Sequence, residues 1–173
     1  MKKLLVLLAL VSFSADAEWG QFEGDFDNEK PWVELQAQLP AAPREENLLP
    51  FFVSAVSDNR FFVDAPSISV GSDGVVRYTL VVKSDGGAIN VSFEGIRCGA
   101  RERKLYAFGR TDGSWSRARA AKWEAIRYQE RNRQHHMLSD DFFCPGGMIV
   151  GSPQEAVEAL RRGMHPRAAG ATR

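Results

Sequence analysis

His135 and His136, followed by Asp140 and Asp141, form the one cluster in this chain with metal-ligand residue types. On a helix His136 and Asp140 share a face at i, i+4, a spacing that can hold a divalent cation. A site needs a third protein ligand, and only His165 offers one. The pair therefore reads as polar side chains on a solvated helix face, and no metal is expected. Serine, histidine and aspartate occur without a Gly-x-Ser-x-Gly elbow or comparable nucleophile context. Glycines 71, 74, 86, 87, 95 and 99 form no phosphate-cradling loop ahead of a helix, so no nucleotide cofactor is expected.

The segment from Trp115 to Trp123 is the best candidate for a binding surface. In a strand Trp115, Arg117, Arg119 and Trp123 share parity, and guanidinium and indole groups on one face suit a carbohydrate or phosphate-bearing polymer, or a protein partner. The alternative is that both indoles are core and the arginine stems cover them with their heads wet. Cys98 and Cys144 lack the Cys-x-x-Cys spacing that depresses a thiol pKa, and an even count in an oxidising compartment makes their disulfide the expected state.

The compartment follows from the first residues. Lys2 and Lys3 precede an apolar run from Leu4 to Phe13, and Ala15-Asp16-Ala17 has the small-x-small pattern of a cleavage site. Residues 1–17 read as a secretory signal cleaved after Ala17, and the run is about half the roughly 20 residues a membrane span needs. The expected location is the periplasm, with no transmembrane segment in the mature chain.

Removing 17 of the 173 residues leaves 156, the size of one ordinary domain, with 20 basic and 21 acidic side chains. Near neutrality argues against a nucleic-acid partner. The charge is unevenly placed: residues 18–58 carry nine acids against Lys30 and Arg44, whereas residues 97–133 carry eleven bases against four acids. The two stretches either neutralise each other or leave a basic surface for an anionic envelope component.

The elements that must position these groups are mostly strands. Residues 18–47 read as an acidic, extended N-terminal segment in which Val33, Leu35, Ala37 and Leu39 alternate with polar residues as a half-buried strand or edge. Leu49–Val56 and Phe61–Val63 are β-prone. Val76, Tyr78, Leu80 and Val82 alternate with Arg77, Thr79 and Lys83, and Ile89, Val91 and Phe93 continue the pattern. At Gly95 the apolar parity slips to Ile96 and Cys98, which predicts a bulge there. Asp73-Gly74, Asp85-Gly86 and Asp112-Gly113 suit type I′ hairpin turns, the last joining 104–110 to 115–123. Residues 126–138 read as helical. Ser152-Pro153-Gln154-Glu155 opens a second helix with a capping serine, proline at the first position and glutamate three residues after the cap, and Gly163 stops it. Residues 48–163 are thus one α+β domain, a mostly antiparallel twisted sheet of about six strands with one or two C-terminal helices. Residues 164–173 are expected to be a disordered tail.

Asp73-Gly-Val-Val-Arg-Tyr-Thr79, Glu94-Gly-Ile-Arg-Cys98, Tyr106-Ala-Phe-Gly109, Gly113-Ser-Trp115 and Trp123 occur in an order that resembles the cryptic neisserial protein (CNP-like) family of secreted Gram-negative proteins. The resemblance implies a periplasmic or envelope-associated domain and carries over no catalytic residue. Members are often lipoproteins; here Glu18 stands where a lipidated cysteine would be, so no lipid anchor is expected. The expected function is a non-enzymatic envelope binding domain whose partner is an anionic envelope component or an envelope protein. The rival is an envelope-polymer hydrolase in which carboxylates such as Glu94 and Glu102 converge.

Overall fold

The alternating runs pair in chain order. The computed structural model, which describes residues 31–127 and 133–170, contains strands β1 (Leu48–Phe51), β2 (Asn59–Val70), β3 (Val75–Ser84), β4 (Ile89–Arg97), β5 (Glu102–Gly109), β6 (Trp115–Arg117) and β7 (Glu124–Ala125). Every pairing is antiparallel, in the order β1-β2-β3-β4-β5-β6, and β7 joins β5 at the end away from β6. The architecture is α+β, as expected. The expected signal segment, the acidic stretch up to residue 30, part of the first expected helix (128–132) and the last three residues lie outside the described residues.

Three hairpins share one turn geometry, which is not the expected type I′. Gly74, Gly87 and Gly113 have φ of 75°, 82° and 81°, and each donates its N–H to the carbonyl three residues earlier. The residues before them are not left-handed, so these are type I turns closed by a single left-handed glycine. That three-residue loop matches strand twist while needing positive φ at only one position.

The bulge expected at Gly95 is absent. β3 and β4 stay in register from Val75↔Arg97 to Lys83↔Ile89. The extra residue is Tyr106 on β5, opposite Phe93–Glu94. Apolar parity changes between Phe93 and Ile96 because both faces of the sheet are buried. Gly95 serves a different purpose: a Cβ there would come within 2.8 Å of the Tyr106 hydroxyl and 3.0 Å of a Val75 methyl. Only glycine lets the Tyr106 ring lie across β4.

The helical layer covers one face. Helix α1 (Arg133–Met137) runs into a π-turn at Leu138–Phe143, followed by a 3₁₀ turn at Pro145–Gly147, α2 (Pro153–Arg162) and α3 (Pro166–Ala169). Of the described residues expected in the first helix, 126 and 127 are not helical, because the Ile126 N–H donates to the Arg101 carbonyl (2.9 Å) and prolongs the pairing of β7 with β5. α2 begins and ends as expected. Ser152 Oγ accepts from the Glu155 amide, Pro153 takes the first position and Gly163 caps with φ 80°. Leu138, Phe142, Phe143, Val150, Ala156 and Leu160 pack on Phe51, Val63, Val76, Tyr78, Leu80 and Ile96.

The disulfide Cys98–Cys144 ties the end of β4 to this layer across 46 residues of sequence, with Cα atoms 5.4 Å apart. Closing such a loop stabilises by about 4 kcal/mol in the chain-entropy account. The tail departs from expectation between His165 and Gly170. His165 is buried, its N–H donates to the Asp141 carbonyl (2.8 Å), and its imidazole Nε2 lies 2.8 Å from Glu155 Oε1. Those bonds order α3.

Candidate functional site

Polar clusters lie against both faces of the sheet. On the helix face the pairing Tyr78↔Glu94 brings the Tyr78 hydroxyl to Glu94 Oε2 (3.1 Å), and α1 places His135 Nε2 2.7 Å from the same oxygen. Ser92, two residues along the strand, donates to Glu94 Oε1 (2.7 Å). Burial alone would raise the Glu94 carboxyl. The His135 charge and hydrogen bond, the Ser92 bond and the Arg103 charge outweigh it and hold the group below the usual carboxylate range. Burial, with the Glu94 charge second, pushes the Tyr78 phenol up. Glu94 and His135 are both about 95% buried, so the cluster fastens α1 to the sheet and no substrate reaches it. Glu102 lies on the opposite face, paired with Arg97 at 2.9 Å, so the two carboxylates of the hydrolase reading do not converge.

The His136–Asp140 pair, the one cluster of metal-ligand types, adjoins a cleft of about 680 Å³, with Phe52, Met137, Phe142 and Met164 among its walls. His136 Nε2 is 3.4 Å from Asp140, but both Asp140 oxygens are held by Arg101 at 2.5 and 2.9 Å, and His165 is engaged with Glu155. Arg101, His136 and Asp140 in this cleft engage one another. Among the described residues no three histidine, cysteine or acidic side chains are placed to share a metal ion.

The second face is covered by the chain itself. Residues 33–43 run as an extended strap with no ladder pairing among the described residues. Its expected alternation is inverted at the start: Val33 and Leu35 are exposed, 74% and 46%, and Glu34 points in. The reason is the polar character of the surface beneath. Lys104 Nζ donates to Glu34 Oε2 (2.7 Å), Trp123 Nε1 to the same oxygen (3.2 Å) and the Tyr106 hydroxyl to Oε1 (2.9 Å). Burial would raise Glu34, yet these three bonds and the Lys104 charge leave its carboxyl below the usual range. Burial, reinforced by Glu34 and opposed by Arg77, pushes Tyr106 up.

Asp73 and Arg77 then stand in for a partner strand. The Leu35 N–H donates to Asp73 Oδ2 (2.9 Å), and Arg77 Nη2 donates to the Leu35 carbonyl (2.9 Å). Arg77 also grips both Asp73 oxygens, 3.2 and 2.6 Å, in an almost fully buried pair. Burial would raise Asp73; the Arg77 and Leu35 bonds win and lower it. Further along, Trp115 Nε1 donates to the Pro40 carbonyl (2.8 Å).

The four residues singled out from sequence are therefore divided. Trp115 packs on Phe93 at 6.1 Å and Trp123 meets Tyr106 edge-on at 6.5 Å, both half-buried with their N–H groups taken by the strap. They do not form one open strand face, because β6 ends at Arg117 and the chain turns away before Trp123. Arg117 and Arg119 are exposed. Lys104, Tyr106 and Arg117 line a cavity of about 330 Å³ beneath the strap, with Glu34, Gln36 and Leu39.

Sequence reasoning missed Glu34, Asp73, Arg77, Lys104 and Tyr106 because polar positions in an alternating strand were assigned to solvent. The available signal was Gly95 inside a strand, which marks a close approach to the second face.

The CNP1-like family model matches residues 27–161, from ahead of the strap to the last turn of α2. Cryptic neisserial protein 1 of Neisseria gonorrhoeae (strain ATCC 700825 / FA 1090) is 29% identical over 150 residues, covering 76% of this chain and 72% of that protein. No solved structure matches the chain. With well over half of its residues inside the family match, the chain belongs to the CNP1-like family.

Proposed function

We propose that the protein is an exported, non-enzymatic binding domain of the cell envelope that recognises an anionic partner on its strap face. The observation that carries this is the carboxylate of Glu34 held by Lys104, Tyr106 and Trp123 beside a cavity that Arg117 also lines. The surface already accommodates an anion, and Arg117 and Arg119 stand exposed next to it without an ion pair to another described residue. Aromatic rings stiffen the cations: Lys104 Nζ lies 5.4 Å from the Tyr106 centroid and 5.6 Å from that of Trp123. Periplasmic export is supported by the lysine-led apolar leader and its Ala-x-Ala site.

Co-sedimentation of the purified protein with peptidoglycan sacculi and outer-membrane fractions, across a salt series, tests this. The expected result is sedimentation that weakens as salt rises, since exposed charges are screened within about 10 Å at 0.1 M. Arg117→Glu with Arg119→Glu should abolish it. Unchanged sedimentation of the double variant would remove the strap face as the binding surface.

A further inference from the structure

We propose that Lys104, Tyr106 and Trp123 form a carboxylate-binding site that Glu34 fills in cis, and that a carboxylate-bearing polymer binds by displacing the strap. The proposal rests on the binding role given above and names its ligand class.

Two of the three donors are built into the sheet, and none into the strap. Lys104 and Tyr106 come from β5 and Trp123 from the segment before β7. Tyr106 is aimed by its bulge and by the missing side chain at Gly95. Removal of Glu34 therefore leaves a preformed constellation. The donors divide between two oxygens, Lys104 and Trp123 on one and Tyr106 on the other, which suits a planar carboxylate.

The strap's grip is local. It rests on the Glu34 contacts, the two Leu35 backbone bonds and the Pro40 carbonyl, with six of the eleven residues from 33 to 43 exposed. Segments with few buried contacts and no ladder open at a small fraction of the global unfolding free energy. The cavity under the strap supplies an entry point. A polymer can set one carboxylate against Arg117 while Glu34 is still in place, and a second against Lys104 once Glu34 leaves. An internal competitor scales apparent affinity down to the fraction of time the site is open.

Fluorescently labelled poly-L-glutamate, titrated by anisotropy, is the probe. Glu34→Gln keeps the shape and loses the charge, and should bind about tenfold tighter than wild type if the strap closes the site about nine-tenths of the time. Adding Lys104→Met should erase that gain. In the wild type, saturating polymer should speed hydrogen exchange at the Leu35 amide, which Asp73 protects. Equal affinity of wild type and Glu34→Gln, with Leu35 exchange unchanged, would overturn displacement while leaving binding on Arg117 and Arg119 standing. No binding by either folded protein would overturn both. Polyphosphate binding as tightly as polyglutamate would overturn the carboxylate assignment. If Glu34→Gln does not fold, the exchange measurement on wild type decides alone.

Discussion

On the helix face the central carboxylate, Glu94, is sealed under α1 with three side-chain partners. On the strap face the central carboxylate, Glu34, also has three side-chain partners, yet it sits on a half-exposed segment without ladder bonds. The bonding is alike and the cover is not. A layer of three helices and a π-turn, tied by a disulfide, buries phenylalanines and leucines on one side. A single extended strand of chain covers the other. The first arrangement can open only by losing apolar burial, and the second can open by exchanging one carboxylate for another.

The largest expected effect tests the sealed face. Glu94→Ala leaves His135, Tyr78 and Ser92 without their common acceptor inside the core. Breaking a buried charge-paired network in this way costs roughly 4 kcal/mol. The urea midpoint should fall accordingly, with amide exchange at Leu35 accelerated only as far as global unfolding requires. A loss below 1 kcal/mol would mean that the network contributes little to holding α1.

Arg77→Met makes the matching change on the strap face. It strands Asp73 and removes the donor to the Leu35 carbonyl. About 3 kcal/mol is expected, at the low end for a broken buried pair because the strap can lift and let water reach Asp73. Leu35 exchange should rise by more than global stability explains. Equal changes at Leu35 and in the core would show that the strap and sheet open as one.

Acid should separate the faces as well. Glu34, Asp73 and Glu94 all titrate below their ordinary values, so each adds stability that is complete above about pH 5 and is lost as pH falls through its folded value. Asp64, which burial raises, works against that trend. Glu155 in the helical layer and Asp112 in the last hairpin turn are lowered as well, but Glu34 and Asp73 hold a strap that has no apolar layer to keep it closed once they protonate. Tryptophan emission from Trp115 and Trp123 should therefore change at a higher pH than the helical circular-dichroism signal. Coincident transitions would sink the distinction between the faces.

What was legible in the sequence follows the same division. The meander, the disulfide and α2 were readable because each depends on local chemistry: alternating runs, turn glycines, an even cysteine count, and a serine cap followed by proline. The π-turn and the ordered tail were not, since both depend on long-range bonds such as His165 to Asp141 and Glu155. The strap face was hidden for a subtler reason. Arg77 and Lys104 sit at polar positions of alternating strands, and the pattern is the same whether water or another piece of chain covers them. Even the inward residue of the strap, Glu34, has the polarity that alternation assigns outward. The Trp115–Trp123 segment was recognised as unusual, but its indoles serve the cover and leave Arg117, Arg119 and Lys122 to solvent.

The smallest expected effect comes from the best-read element. Ser152→Ala removes the side-chain bond to the Glu155 amide, 3.1 Å, at the start of α2. Loss of such a cap costs about 1 kcal/mol. Glu155 moderates the loss, because its carboxylate still accepts from the Gly151 amide at 2.6 Å and from Arg167 at 2.8 Å. The change lies wholly in the helical layer, so it lowers the urea midpoint slightly while the strap keeps its bonds to Asp73 and Arg77. Since local opening of the strap does not require α2 to unfold, Leu35 exchange should be unaltered. Leu35 exchange that rose in step with the lost stability would show that strap opening is global unfolding, and displacement by a ligand would then have no low-cost route.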